Sequence, residues 1–329
     1  MVDPNGVSDS SVHISIAMCT YNGARFLGEQ LQSIAAQSLQ PDELVVCDDR
    51  SSDETTNIVR GFAERANFSV RLVVNEQTLG PAKNFEKAIA LCQGRLIALS
   101  DQDDNWSPEK LLRLSRILEQ DETLGGVFSN AYLMNENSAR SGARLWERVR
   151  YRPQNDAFQA EKSLATSLLK ADVVTGATLM IRAKVRDLLL PVPDCWMHDG
   201  WFAWMLALYS GIAAVDEPLI SYRIHDMQHA GLSPRSLKSR IEYARRTGKA
   251  QCLPTASRFE QLRAHWIEKP GGDFERRLYQ MEQKIAHLRY RLNLPSGFVK
   301  RVYSVTSAYR LYQLYSSGAA TMWKDILLG

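Results

Sequence analysis

Cysteine is scarce in this chain and stands alone wherever it occurs: Cys19, Cys47, Cys92, Cys195 and Cys252 form no CxxC pair. That scatter excludes a disulfide framework or a structural zinc cluster and fits a reducing cytoplasm. Long apolar runs are missing too. No stretch approaches the roughly 18–20 uncharged apolar residues that a spanning helix needs. Met1 to Ser11 is polar and acidic rather than basic followed by apolar, so no signal peptide is expected. There is no internal repeat and no low-complexity tract. The 329 residues, 45% of them hydrophobic and 23% charged, are enough for one large globular domain or a domain with a substantial appendage.

Charge is divided unevenly. From Arg235 onward there are 18 Lys/Arg against 7 Asp/Glu, whereas the preceding part carries 22 against 30. Three segments follow: a flexible N-terminus over 1–12, an acidic catalytic body over 13–234, and a basic, aromatic, helical region over 235–329. In the last, Tyr279, Tyr290, Tyr303, Tyr309, Tyr312 and Tyr315 are interleaved with arginines, and Pro254, Pro270 and Pro295 interrupt it. Such a surface suits an anionic membrane face, as an interfacial helix does. The competing readings are a solvated basic face and packing against the body or a partner.

Within the body, short apolar runs alternate with segments of helical spacing. Strands are predicted at His13–Cys19, Glu43–Cys47, Val70–Val74 and Arg95–Leu99, with helices over Ala24–Gln37, the stretch after Asp53, and Pro81–Cys92. This alternation implies βαβ units and a mostly parallel sheet. A helix over Pro108–Gln120, a strand at Gly126–Ser129, a polar loop over Ser138–Asp156, a strand or strand-loop over Val173–Ile181, an apolar helix over Trp201–Tyr209, and final elements at Ala213–Asp216 and Pro218–Arg223 complete it. Polar residues collect where four successive strands end: Thr20-Tyr21-Asn22, Asp48-Asp49, Asn75, and Asp101 with Asp103. Open α/β sheets bind ligands at that edge.

Ser100-Asp101-Gln102-Asp103-Asp104 carries the strongest chemical signal. Two carboxylates one residue apart at a strand end share a crevice and repel unless a cation lies between them. A divalent ion relieves that repulsion and can hold the diphosphate of a leaving nucleotide, with Mg²⁺ or Mn²⁺ suited to oxygen ligands. Ser107, Pro108 and Glu109 are enough to start the following helix, so capping does not account for the acidic run. In Asp48-Asp49-Arg50-Ser51-Ser52-Asp53, helix capping explains some of the acids; one carboxylate could also accept from the imide N–H of uracil or thymine.

Ser15–Leu27, Val45–Asp53, Asn75–Phe85, Leu99–Trp106, Thr175–Thr178, Met197–Trp201 and Glu217–His225, in this order, resemble family 2 glycosyltransferases of the GT-A fold, most nearly the bacterial rhamnosyltransferase-like enzymes of surface polysaccharide synthesis. The resemblance covers about Ile14 to His229. It implies a GT-A, Rossmann-like α/β body with a helical C-terminal extension. It also implies that Thr20, Tyr21, Asn22, Asp48 and Asp49 hold the nucleoside, with Lys83 and Asn84 near the donor. Asp101 would lie near the ribose and metal, Asp103 would be the direct metal ligand, and His225 would close over the metal or diphosphate. Arg223 would neutralise the leaving phosphates. Asp199 would be the base that takes the acceptor's proton in an inverting displacement, with His198 a neighbour rather than the base. Here Gly200 stands where many relatives have an aromatic residue. Trp196 and Trp201 are either sugar platforms or core.

The implied donor is a dTDP- or UDP-sugar, with rhamnose as one sugar, and the implied acceptor a saccharide or lipid-linked saccharide. The protein would be cytoplasmic or peripheral at the inner face of the cytoplasmic membrane, with no nucleic acid as partner. A sugar nucleotidyltransferase is disfavoured because Thr20-Tyr-Asn-Gly-Ala24 is not a glycine-rich phosphate loop with a basic residue. A non-catalytic nucleotide-sugar-binding module would be expected to lack an acidic centre, yet Asp101, Asp103 and Asp199 are all present.

Overall fold

The computed structural model of the protein describes residues 13–153, 164–226, 250–268 and 274–328. The segment 1–12, expected to be flexible, and the expected boundary at 234/235 lie outside the described residues.

Four strands form the parallel part of one sheet: β1 (Ile14–Thr20), β2 (Glu43–Asp48), β3 (Ser69–Val74) and β4 (Leu96–Ser100). Their order is β3-β2-β1-β4, each pair parallel. β1, β2 and β4 are apolar without alternation because both faces are covered. The connecting helices α1 (Ala24–Ala35), α2 (Thr55–Ala63) and α3 (Pro81–Leu91) place a narrower apolar stripe inward, Phe26, Leu27, Leu31 and Ile34 in the first. Pro81 sits at the start of α3, where its missing N–H costs nothing.

Beyond β4 the sheet becomes mixed. After β5 (Asn105–Trp106) and α4 (Lys110–Gln120), β6 (Gly126–Asn135) folds back on β7 (Arg140–Arg144); β8 (Leu179–Arg182) runs antiparallel between β4 and β6. The long β9 (Ile212–Ile224) lies parallel to β6 and holds β5 on its far side. The polar loop expected over Ser138–Asp156 is therefore corrected up to Pro153: Arg140–Arg144 pairs as a strand and Leu145–Val149 is a helical turn, while 154–156 lie outside the described residues. The two elements expected at Ala213–Asp216 and Pro218–Arg223 are one strand. Pro218 interrupts only its register with β6, which a strand tolerates at an irregularity. At Val173–Ile181 a helical turn, Gly176–Thr178, precedes β8.

Helix α5 (His198–Tyr209) starts three residues earlier than the apolar run suggests and is buried almost all round. The C-terminal helices α6 (Cys252–Glu268) and α7 (Phe274–Leu292) pack on each other and on this body. Pro254 lies in the first turn of α6 and does not interrupt it. Phe259 packs edge-on to Trp196 and Trp204, and Trp266 to Tyr209, with centroids 6.4, 5.7 and 4.9 Å apart. Helices α8 (Phe298–Ser307), α9 (Tyr309–Tyr315) and α10 (Ala319–Leu328) enclose a small second core of Leu294, Val305, Tyr312, Met322 and Ile326. Of the tail tyrosines, Tyr312 and Tyr315 are buried, whereas Tyr279, Tyr303 and Tyr309 are exposed. Among the described residues no helix is long and apolar enough to cross a membrane.

Candidate active site

The crevice opens at the carboxyl ends of β1, β2 and β4. One wall is built from the loops after β1 and β2, which are stitched together by side chains. Asp48, fully buried, accepts from the Thr20 hydroxyl at 2.7 Å, the Ser51 hydroxyl at 2.5 Å and the Ser51 N–H at 2.8 Å. Asn22, held at φ +46°, accepts from Ser52 N–H, while its own N–H donates to the Ser51 hydroxyl, each at 2.8 Å. Asp53 caps two elements, accepting from Thr55 N–H and Ala24 N–H. Asp49 receives Asn75 Nδ2 and Leu79 N–H on Oδ1 and Gly80 N–H on Oδ2, at 2.7 to 2.9 Å. Asn84 is bound to the Cys47 carbonyl and to Asn75. Lys83 faces away to the Val192 carbonyl and Glu86, at 2.7 and 3.0 Å. Of the residues expected on this wall, Tyr21 is the one whose side chain is exposed, at 38%.

The other wall is the acidic run after β4. Gln102 pairs reciprocally with the backbone of Tyr21, its Oε1 accepting from N–H at 2.8 Å and its Nε2 donating to the carbonyl at 3.1 Å. That clasp joins the walls, and a side chain at Gly23 would collide with it. Asp103 Oδ2 and His225 Nε2 lie 2.9 Å apart, with His225 tilted against Phe26. Asp104 is fully buried; its Oδ1 accepts from Arg223 N–H at 3.0 Å, and its Oδ2 has no partner. Burial and the charges of Asp103 and Asp101 raise it well above the usual carboxylate range. Burial, with Asp103 and Asp199 close by, pushes Asp101 up to about 7.

Two cations belong to this wall. Lys110, with no exposed surface, donates to the Ala177 carbonyl at 2.7 Å over the Trp106 ring. Burial lowers its pKa, opposed by Asp104 and Asp101. Arg223 is placed differently from the expectation. Its guanidinium is fully buried and donates to the Asp103 carbonyl, the Ser138 hydroxyl and Glu29, at 2.6, 2.9 and 2.7 Å. It therefore positions the acidic turn instead of facing the crevice, because Glu29 of α1 and the β6–β7 turn already use its donors.

A divalent cation fits the remaining geometry. Asp103 and His225 offer an oxygen and an imidazole nitrogen facing each other, and the neighbouring carboxylates supply the negative potential a cation relieves. Among the described residues no three metal-binding side chains converge, so the chain would supply two ligands and a bound diphosphate the others.

Asp199 stands in the first turn of α5, close enough to Asp101 for its charge to raise that carboxyl's pKa. Burial and Asp172 raise it to about 6, against backbone N–H groups of Gly200 and Gly176 and the charge of Arg258. Arg258 comes from α6; it reaches Asp172 at 3.4 Å and lies over Trp196, 4.1 Å from the ring centroid. His198 is buried and stacked on Phe85 at 4.0 Å, and burial alone takes its pKa down to about 3. A ring held neutral that strongly is a poor proton acceptor. Trp196 and Trp201 are buried against one another and against α6, which makes them core.

Gln102, Lys110, Glu29 and Arg258 were not singled out from the sequence. Lys110 carried a faint signal, a cation at the start of an amphipathic helix just after the acidic run. Arg258 carried none, since its contact depends on how a distant helix docks.

A parallel βαβ half joined to a mixed half, with an acidic turn at the junction, is the GT-A type of fold. S. aureus TarS residues 1-349 in complex with UDP-GlcNAc has a TM-score of 0.55 to this chain at 18% identity, covering 92% of this chain and 81% of that one. The mannosyltransferase PcManGT of Pyrobaculum calidifontis, in complex with GDP-Man and Mn²⁺, gives 0.55 at 16% identity, covering 95% and 85%. The sequence model of Glycosyl transferase family 2 matches residues 15–189, and the chain belongs to this family. It is also similar to the Escherichia coli UDP-Glc:alpha-D-GlcNAc-diphosphoundecaprenol beta-1,3-glucosyltransferase WfgD, 32% identical over 126 residues, which are 38% of this chain and 48% of that protein. The matched regions span 65%, 48% and 49% of the length of three curated relatives.

Proposed function

We propose that the protein is an inverting glycosyltransferase that moves a sugar from a nucleotide diphosphate donor to a saccharide or lipid-linked saccharide in bacterial surface polysaccharide synthesis. The observation that carries this reading is the placement of Asp199, lifted by burial to about 6, across one crevice from the facing pair Asp103 and His225.

In this reading Asp103 and His225 would hold a divalent ion, which when bound would supply positive charge against the departing diphosphate. The imidazole favours Mn²⁺ over the harder Mg²⁺. Asp101 lies beside the ribose. Tyr21 covers the nucleoside, and Asp49 Oδ2, which accepts one bond from Gly80 N–H, keeps room for an imide N–H. Thr20, Asn22, Asp48 and Asn84 act one step back, holding the loops that shape the pocket, while Lys83 and Arg223 hold neighbouring turns. Asp199 takes the acceptor hydroxyl's proton while oxygen attacks the anomeric carbon from the side opposite the diphosphate. The E. coli relative, named for UDP-Glc and a diphosphoundecaprenol-linked acceptor, supports a uridine donor over dTDP-rhamnose. Exposed Phe298, Val299, Tyr303 and Trp323, near Lys300 and Lys324 on the C-terminal helices, support a place at the membrane surface.

The test is a set of nucleotide sugars scored by thermal shift with Mn²⁺, followed by turnover of the best donor. A true donor raises the melting temperature by mass action. Asp103→Ala should abolish the Mn²⁺-dependent part of that shift and lower turnover by about 10²-fold or more. Undiminished turnover in EDTA, or in Asp103→Ala, would sink the metal mechanism.

A further inference from the structure

A cavity of about 700 Å³ lies between the catalytic body and the C-terminal helices, away from the acidic crevice. Four cations line it, Arg150, Arg152 and Lys170 from the body and Arg276 from α7, and among the described residues no carboxylate does. All four are solvent-exposed. Ser167 and Ser317 add hydroxyls to the lining, and α10 begins at its rim, adding the positive end of a helix dipole. Convergent cations with hydroxyl donors are the chemistry of phosphate recognition.

The cavity and the candidate base share one segment of chain. Val173 lines the cavity, Asp172 beside it pairs with Arg258, and Gly176 N–H bonds the Asp199 carboxylate. Three residues of extended chain span at most about 11 Å. Val173 on the cavity wall therefore lies no more than about 11 Å from the Gly176 N–H that bonds Asp199, a span comparable to a short saccharide.

We propose that this cavity binds the phosphate or diphosphate of the acceptor, so that the enzyme selects a phosphorylated saccharide and positions it for attack. The proposal rests on the glycosyltransferase reading above and names its acceptor class.

The experiment titrates the full chain calorimetrically with inorganic pyrophosphate, with and without saturating UDP, in wild type, Lys170→Glu, Arg276→Glu and the double variant. Circular dichroism and melting temperature confirm folding of each. The expected result is pyrophosphate binding that persists under UDP, weakens about tenfold in each single variant, and is lost in the double variant. UDP binding stays unchanged throughout. Displacement of pyrophosphate by UDP, or equal affinity in folded variants, would overturn the site. Equally effective competition by phosphatidylglycerol vesicles would overturn the acceptor assignment in favour of bulk headgroups. Charge-dependent pyrophosphate binding with no response to any nucleotide sugar would instead fail the functional reading and leave the anion site standing.

Discussion

The two walls of the crevice use the same side chain to opposite ends. After β2, Asp48 and Asp49 are buried and each accepts three hydrogen bonds from the chain itself. Across the crevice, burial and neighbouring carboxylates raise Asp101 to about 7 and Asp199 to about 6. A carboxylate surrounded by N–H and O–H donors is fixed in place, and acts as framework. One that is buried beside other carboxylates holds its charge at a cost, and becomes available to a cation or a proton. Donors and exposure together separate the two sets: Asp48 and Asp49 are buried among donors, whereas Asp101 and Asp199 are half-buried beside other carboxylates.

The sharpest way to break that distinction is Asp199→Asn. It is isosteric and keeps the helix start, so turnover should fall by about 10²–10⁴-fold with little change in donor affinity. Stability should move the other way. The folded pKa of Asp199 is raised above its unfolded value of 3.8, so ionising it weakens the fold as pH rises from about 4 to about 6. The amide removes that weakening. Melting temperature should exceed wild type above pH 6, and the gain should shrink as the pH falls toward 4. A variant as active as wild type would remove Asp199 from the chemistry.

Asp49→Ala tests the opposite wall. It strips partners from Leu79 N–H, Gly80 N–H and Asn75 Nδ2. The expected loss is about 2–4 kcal/mol of unfolding free energy, read as a lower chemical-denaturation midpoint at unchanged slope. Asn should recover part of it, since its carbonyl can still accept. If Ala costs nothing in stability and only donor affinity falls, Asp49 belongs with the chemical wall.

How much of this was legible in the sequence follows the same divide. Apolar runs ending in Thr20, Asp48 and Ser100 placed the parallel strands to within a residue or two, because a strand covered on both faces leaves no choice of pattern. Asp101, Asp103 and Asp199 could be picked out because acids at the ends of apolar elements have few structural reasons to be there. The mixed half was harder to read. Arg140–Arg144 pairs as an edge strand with solvent on it, so no apolar alternation marks it. Arg223 looks like any exposed cation in sequence, and its burial depends on Glu29, nearly two hundred residues away. The docking of α6 is carried by Phe259, Leu262 and Trp266, whose spacing predicts a helix but names no partner surface.

That docking bears on the comparison at its finest point, because α6 supplies a cation near Asp199. The charged groups facing Asp199 are Asp172 on the segment before Gly176, Asp101 on the acidic turn, and Arg258 on α6. Asp172 raises its pKa and the arginine lowers it. Arg258→Leu keeps most of the contact with Trp196 while removing the charge. Activity requires the ionised base, so kcat/KM should fall as pH drops through about 6 in wild type. In the variant the same limb should move to higher pH, leaving the rate on the alkaline plateau within about twofold of wild type. A purely structural role for Arg258 would lower the plateau and the melting temperature together and leave the limb where it was. A displaced limb on an unchanged plateau instead means that the C-terminal helices tune the base, and that catalytic body and appendage are one functional unit.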